Sequence, residues 1–401
     1  MGIEQTAIEK TMNDFHAAGG ERLAALEAFI DAGGLAGVPA AGRESNNHIH
    51  TVYSFSPYTP TMAALAARRA GLSVAGSVDH DSYAAAAEMR EACRMLTLGC
   101  VTGFEVRVSF RHTAFADRKI NSPDSKGIAY MTVQGIPAKE TARVHEFLRP
   151  IVAARQKRNR LMVDALNTLL APAGIAPLSY DHDVLPLSKA DEGGTVTERH
   201  ILFALSHAFI AAWGKGPATV AGLSRAFGLT FSPKIAAYLA DAENPYYAYD
   251  LLGALKSGFG DKIYIQPGEE ECPPAEKVTA FAASIDAYPA YAYLGDVGES
   301  PTGDKKAERF EDAYLDDLMP LLRELGFKAV TYMPPRNTKP QLLRLRDLCA
   351  HYGFMEISGV DINSPRQVFN CPELLDEDFA NLIETTQVLA EHENRGGHSK
   401  T

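Results

Sequence analysis

The residues best suited to do chemistry are two histidines one residue apart, His48 and His50, in the segment NNHIHTVYSF. In a β-strand, the side chains at positions i and i+2 point to the same face. A strand here would therefore aim two imidazoles at one point, as a metal ion requires of its ligands. Taken alone the pair is weak evidence, because histidines also occur as ordinary polar residues on strands.

Three further residues extend this pattern along the chain. His80 ends the strand-like run LSVAGSVDH, Glu105 lies in VTGFEVRV, and Asp361 follows FMEISGV. We expect each at or just past the carboxyl end of a strand, and in a β/α barrel those ends meet on one face. An acid such as Glu105 is unusual in an apolar strand unless it is paired. Three histidines with two carboxylates suit Zn, Mn or Fe, so the sequence predicts a divalent transition-metal centre.

Strand and helix signals alternate at both ends of the chain, which predicts an α/β fold with a parallel sheet or barrel. Between them, residues 138–275 have the spacing of a mostly helical insertion. The sequence therefore predicts a helical extension at 1–40, a barrel built from 41–137 and 276–372, and a C-terminal helix and tail at 373–401.

Local signals predict several helix ends. Gly19 and Gly20 are expected to separate two N-terminal helices, and Thr59 is expected to cap the helix that begins at Pro60. Ser82 is expected to open the next helix, which runs through CRML.

Composition narrows the class of protein. The 401 residues are 46% hydrophobic and carry a formal net charge of −11, which argues against an extended nucleic-acid surface. The five cysteines form no CxxC pair, as expected of reduced thiols in the cytoplasm. There is no run of roughly 18 apolar residues, so we expect no membrane span. The sequence predicts a cytoplasmic protein and does not name its oligomeric state.

Five segments in order, HIHTVYS, GLSVAGSVDHDS, GFEV, TERHILFAL and FMEISGVDIN, resemble motifs of the polymerase and histidinol phosphatase (PHP) family of metal-dependent phosphoesterases. The resemblance implies a distorted seven-stranded β/α barrel, with up to three metals on its C-terminal face. It also implies a small phosphorylated metabolite or nucleotide as the substrate. TERHILFAL is similar to an Arg-Pro-His-Ile-Ala segment of the family, with Glu198 at the position of the proline.

The chain departs from the family pattern at several ligand positions. Phe55 stands where the family usually has Asp or His after HxHT, and Phe cannot bind a metal. A ligand His is expected after GxE, where YMTVQGIP places Gln134, and His112 fits this position less well. The family's Ala-His-Pro is replaced by AYAYLGD, with Tyr293 near the His position and Asp296 just beyond, and the final Asp-x-His ends in Asn363.

By this resemblance one metal site is complete, made of His48, His50, Glu105 and Asp361. A second site would need the substitutes Gln134, Tyr293, Asp296 or Asn363, which are weaker ligands than imidazole except for the Asp and an ionised Tyr. His80 is then our candidate general acid or base, since imidazole titrates near pH 6.5, and Asp79 or Asp81 could orient it.

Phosphate oxygens need cationic or amide donors. The candidates are Arg107, which shares a strand face with Glu105, and Arg199 with the adjacent His200. The long charged loop 110–127 could cover the barrel mouth. By contrast, RQKRNR at 155–160 is more typical of a solvated helix face.

Three functions remain open at this point. The leading hypothesis is a metal-dependent phosphoesterase. The lost ligands also fit a catalytically impaired metal- or ligand-binding protein, and related barrels host hydrolases or lyases of non-phosphate substrates, since fold does not fix function.

Overall fold

The computed structural model describes residues 3–298 and 308–395 of the chain. Within these ranges seven strands form one sheet, in which the spatial order of the strands follows the sequence. The strands are β1 (Ser45–Ile49), β2 (Val74–His80), β3 (Gly99–Ser109), β4 (Ile128–Gln134), β5 (Tyr288–Ala292), β6 (Ala329–Tyr332) and β7 (Met355–Ser358).

The two edges of this sheet meet. Ile49, at the end of β1, pairs in parallel with Ile362, just past β7. The His50 amide donates to the Ile362 carbonyl and the Ile362 amide donates to the His48 carbonyl, both at 3.0 Å. The sheet is therefore a nearly closed, distorted seven-stranded barrel, and the predicted fold class is confirmed.

Strand direction differs at one position of the barrel. Strands β1 to β3 are mutually parallel, as are β5 to β7, whereas β4 runs antiparallel to both of its neighbours. Long pairing with β4 extends β3 to Ser109, so Glu105 lies inside its strand rather than at the carboxyl end expected from the sequence. Thr132 lies opposite Glu105, and Tyr130 lies opposite Arg107.

Helices surround the barrel and form a separate layer over its mouth. In the described residues they are α1 (Ile3–Met12), α2 (Gly19–Asp31), α3 (Pro60–Arg69), α4 (Ala86–Met95), α5 (Thr141–Leu170), α6 (Glu198–Trp213), α7 (Pro217–Phe227), α8 (Pro233–Ala240), α9 (Tyr247–Ile263), α10 (Ala275–Ser284), α11 (Leu315–Glu324), α12 (Lys339–Tyr352) and α13 (Ala380–Arg395). We call α5 to α9 the insertion helices. None of the helices described is both long and apolar enough to cross a membrane.

One of the predicted helix ends is confirmed and two differ from the prediction. The Thr59 side chain accepts from the Met62 amide and caps α3. Gly19 and Gly20 form the first turn of α2 instead of separating two helices. Ser82 does not open α4, which starts at Ala86; the Ser82 hydroxyl instead donates to the Gly193 carbonyl at 2.8 Å.

The insertion helices have their own apolar core, and one barrel residue enters it. Phe55, in the loop after β1, packs with this core and makes ring contacts with His200, Phe203 and Tyr249. Phe55 therefore joins the barrel to the insertion helices.

Candidate metal centre

Backbone closure of the barrel positions the first ligands. His48 is in β1 and His50 follows it directly, so both imidazoles face the same side. The side-chain oxygen of Asn46 accepts from the His48 amide at 2.9 Å and from the Val360 amide at 3.0 Å. Because this contact ties the segment after β7 to β1, Asp361 is held beside the two histidines.

His48, His50 and Asp361 form the first ligand group. One donor atom from each lies within 4.8 Å of the others, and His50 Nε2 lies 3.3 Å from Asp361 Oδ1. Asn363 Nδ2 donates to the same Oδ1 at 2.6 Å. Asn363, predicted as a substitute ligand, is therefore hydrogen-bonded to the Asp361 carboxylate and orients it.

A second group, His50, His80 and Glu105, shares His50 with the first. His80 Nδ1 lies 2.8 Å from Glu105 Oε2, and His50 Nε2 lies 3.9 Å from that oxygen. The other oxygen, Oε1, lies 3.8 Å from His48 Nε2. The Glu105 carboxylate thus lies among three imidazoles, and His80 joins the ligand cluster.

The donor set fits a divalent transition metal. Imidazole nitrogens and carboxylate oxygens bind Zn²⁺ at about 2.0–2.2 Å, so donors about 3–4 Å apart can surround one ion. The Glu105 side chain is 7% exposed, and a buried carboxylate among imidazoles requires a positive partner. The residues present are therefore suited to hold such an ion, with His50 and Glu105 placed where a second could be shared.

The two carboxylates differ electrostatically. Burial raises the pKa of Glu105, and His48 and His50 offset this only in part. Burial would also raise the pKa of Asp361, but the hydrogen bond and charge of His50, with His48 and Arg199, lower it below its usual range. Asp361 is therefore the stronger anion of the pair.

Two of the three imidazoles are held in the neutral form, which is the form that binds metals. Burial lowers the pKa of His48, and burial together with His50 and Arg155 lowers that of His80 well below its usual value. Burial acts the same way on His50, but Asp361 and Glu105 outweigh it and raise the pKa.

Asp79 has contacts other than those predicted. It accepts hydrogen bonds of 2.6 Å from the Thr51 amide, the Thr51 hydroxyl and the Ser54 hydroxyl. Ser54 Oγ is in turn 3.4 Å from His50 Nδ1. The bonds described for Asp79 hold the loop after β1, and through Ser54 the His50 ring, whereas Asp81 binds Arg155 at 2.5 Å. Neither carboxylate is placed to orient His80.

The remaining substitute ligands stay outside the cluster. Gln134 lies opposite Gly103, below the level of Glu105, and donates to Thr132 Oγ1 at 3.0 Å. Tyr293 donates to Asp312 at 2.6 Å, and burial raises its pKa, so the phenol stays neutral. The Asp296 carboxylate accepts from the Phe310 amide at 2.7 Å.

A cavity of about 240 Å³ opens beside the cluster. His48, His80, Glu105 and Asp361 line one part of it, and the insertion helices cover another with Met162, Leu202 and Ile263. The charged loop 110–127 contributes Asn121 and Pro123. The helical segment therefore partly covers the candidate metal centre.

The predicted anion-binding residues fall into different environments. Arg199 lines the cavity and, among the described residues, forms no ion pair, although its charge acts on Asp361. Arg107 also lines the cavity but is buried and paired with Glu271. His200 lies outside this cavity: its Nδ1 accepts from the Thr197 amide at 2.9 Å, and burial lowers its pKa to about 3. The prediction that His200 binds substrate is not supported by this position.

Sequence reasoning missed two groups of residues. Arg155 and Arg158, assigned to a solvated helix face, are 2% and 6% exposed. Their three-residue spacing on one helix face was the available signal, but their acidic partners lie far away in the sequence. Tyr130 was also missed, and it lines the cavity with its ring 5.9 Å from that of His80.

No protein-family profile and no curated protein matches this sequence. Among solved structures, a Bifidobacterium adolescentis protein, provisionally named a metal-dependent phosphoesterase, aligns with a TM-score of 0.53 at 20% identity, over 86% of this chain and 97% of that one. An amidohydrolase from Chromobacterium violaceum, with bound sulfate and no metal, aligns with a TM-score of 0.53 at 15% identity, over 84% and 96% of the two chains. At these identities the likeness establishes the fold.

Proposed function

We propose that this chain is a metal-dependent hydrolase of the PHP type that cleaves the phosphoester of a small metabolite or nucleotide. The observation that carries the proposal is the convergence of His48, His50, Glu105 and Asp361 at one end of the barrel, beside a partly covered cavity. These residues come from β1 and the position just after it, from β3 and from the segment after β7, so their meeting is a property of the fold.

The two similar structures support this proposal by their names. One is provisionally a metal-dependent phosphoesterase, and the other is an amidohydrolase that binds sulfate, a tetrahedral anion like phosphate. A hydrolase that accepts an anionic substrate agrees with both names.

In the proposed enzyme His48, His50, Glu105 and Asp361 hold the ion, Zn, Mn or Fe, and His80 is placed to share a second one. When bound, such an ion acts as a Lewis acid on a phosphoryl oxygen and makes water more acidic. Asn363 keeps the Asp361 carboxylate oriented through its 2.6 Å hydrogen bond.

The chain's other polar residues then bind and orient the substrate. Arg199, without an ion pair among the described residues, is the proposed donor to the phosphoryl oxygens, since guanidinium binds them in a fork geometry. With only one ion bound, His80 remains our candidate acid or base, and because Glu105 engages its Nδ1, Nε2 is the nitrogen that would exchange a proton. The covered cavity favours small substrates over polymers.

A second candidate keeps the metal but acts on a C–N or C–C bond. The observation that favours it is the fold shared with an amidohydrolase. The catalytically impaired alternative is favoured by Tyr293, a neutral phenol in the cavity near a position where the resemblance implies a His ligand.

The test is release of inorganic phosphate from a panel of small monophosphates, before and after chelation and after return of Zn²⁺, Mn²⁺ or Fe²⁺. We expect turnover that chelation abolishes and metal restores. Arg199→Ala should raise KM about tenfold, the effect of losing one charge-assisted hydrogen bond, whereas Arg395→Ala, at an exposed position, should not.

Other outcomes of this assay separate the candidates. Metal-dependent turnover with no phosphate released would favour the amide or carbon–carbon substrates. Absence of turnover with any substrate, in a protein that retains metal, would overturn the proposal in favour of a binding protein.

A further inference from the structure

Three arginines converge on one glutamate beside the metal centre. Arg155 Nη2 donates to Glu198 Oε2 at 2.5 Å, Arg158 Nη2 donates to Oε1, and Arg107 Nη2 lies 3.2 Å from Oε1. A carboxylate held by three guanidinium groups occupies the position that a phosphate or carboxylate of a ligand would take.

Two further acids balance the remaining charge. Glu271 accepts from Arg158 Nε at 2.6 Å and also binds Arg107, and Asp81 accepts from Arg155. We call these six residues the arginine cluster: Arg107, Arg155, Arg158, Asp81, Glu198 and Glu271. With three positive and three negative side chains it is neutral overall, so it offers no net attraction to an incoming anion.

Glu198 is the acid of the cluster that reaches the cavity. It lines the cavity and its side chain is 24% exposed, whereas Glu271 and Asp81 are 3% and 4% exposed and do not line it. Arg107 and Arg155 line the cavity beside it. An anion entering from the cavity would therefore meet Glu198 before it met the arginines.

The arginine cluster adjoins the metal centre. Asp81 follows His80 directly, and Arg107 lies two residues beyond Glu105 on the same strand face. The charge of Arg155 acts on both His80 and Glu105. A substrate held at the metal centre would therefore place its far end near Glu198.

We propose that Glu198 is a specificity residue, whose carboxylate fills an arginine-lined anion subsite and restricts the chain to substrates with no second anionic group. This inference rests on the proposed function, because it assumes that the chain acts on a substrate. A second phosphate would have to displace Glu198 or remain beside it as a like charge, and such repulsion is an effective way to reject a ligand. Neutralising Glu198 leaves the cluster with one net positive charge that faces the cavity.

The test measures sulfate binding by isothermal titration calorimetry on the protein as purified. Glu198→Gln, which keeps an oxygen for the arginines, should gain one saturable sulfate site that the wild type lacks. Glu269→Gln removes the same charge at a position 53% exposed and should gain none. The double variant Glu198→Gln/Arg155→Gln restores neutrality and should lose the added site. Identical isotherms for Glu198→Gln and the wild type would overturn the proposal.

A second measurement uses the wild type alone, so it does not depend on the variant folding. Fructose 1,6-bisphosphate should bind no more tightly than fructose 6-phosphate. A gain of tenfold or more from the second phosphate would overturn the proposal. In Glu198→Gln the same comparison should favour the bisphosphate by about tenfold, which is about 1.4 kcal/mol.

These readouts are binding constants, so they separate this inference from the proposed function. A sulfate site gained by Glu198→Gln in a protein that hydrolyses no phosphoester would support the subsite and reject the phosphoesterase. An arginine cluster with a purely structural role would lower the melting temperature of the variant without adding any anion binding.

Discussion

The two halves of the barrel mouth present different chemistry to one cavity. Strands β1 to β3 and the segment after β7 provide imidazoles and carboxylates. Strands β4 to β6 and their ends provide the phenols Tyr130, Tyr293 and Tyr332. The same barrel mouth thus has one half with imidazole and carboxylate groups that could bind a metal and one half with neutral phenols.

The three phenols are poor metal ligands because they stay in the neutral form. Burial raises the pKa of all three, so they stay neutral in the physiological range. Two of them donate to carboxylates, Tyr293 to Asp312 at 2.6 Å and Tyr332 to Glu356 at 2.7 Å. The comparison teaches that one half presents neutral hydroxyl groups, while the other half presents the imidazole and carboxylate donors.

The largest expected effect comes from removing the ligand that both groups share. His50→Ala should lower metal affinity by more than about 100-fold, because even substitutions outside the ligand shell cost 10- to 100-fold. Metal content of the purified variant, measured by mass spectrometry, should fall close to zero. His351→Ala, at an exposed position, is the matched control and should retain metal. Equal metal content in both variants would refute the assignment of the metal-binding half.

A smaller effect on metal affinity is expected from Asp79, which is not a candidate ligand but contacts the loop next to His50. Asp79→Asn weakens the contacts to Thr51 and Ser54 that hold the loop bearing His50, so metal affinity should fall about 10- to 100-fold. Competition with a chromogenic chelator measures it. Asp181→Asn, in an exposed ion pair with Arg160, should leave affinity unchanged. If Asp79→Asn behaves like that control, Asp79 has no part in positioning the ligands.

The smallest effect is expected on the phenol half. Tyr293→Phe removes one hydrogen bond to Asp312, so the free energy of unfolding should fall by about 1 kcal/mol, with metal content unchanged. Chemical denaturation and metal analysis of the same sample provide both values. A loss of metal in this variant would show that Tyr293 is a ligand and would remove the distinction between the two halves.

Features that depend on nearby residues were predictable from the sequence. The i, i+2 spacing of His48 and His50 and the cap at Thr59 are local, and the structure has both in the expected form. The meeting of Asp361 with these histidines followed from the rule that strand ends share one face of a barrel.

Features that depend on distant pairing were not predictable. Alternation along YMTVQ does not reveal the direction of the strand, and because β4 is antiparallel, Tyr130 rather than Gln134 reaches the mouth. The burial of Arg158 depends on Glu198 and Glu271, which lie 40 and 113 positions away. Glu105 was placed at a strand end for the same reason, since its strand is lengthened by β4.

The seam where β1 meets the segment after β7 and closes the barrel has a thermodynamic consequence. Asn46 bonds to Val360 across 314 positions of the chain, and the first ligand group spans this same seam. An ion held there would act as a cross-link between the first and last strands, and closing so long a loop removes much of the freedom of the unfolded chain. Thermal stability would then rise with free metal concentration. Hydrogen exchange along the seam would slow at the same time, so the centre would contribute to folding as well as to chemistry.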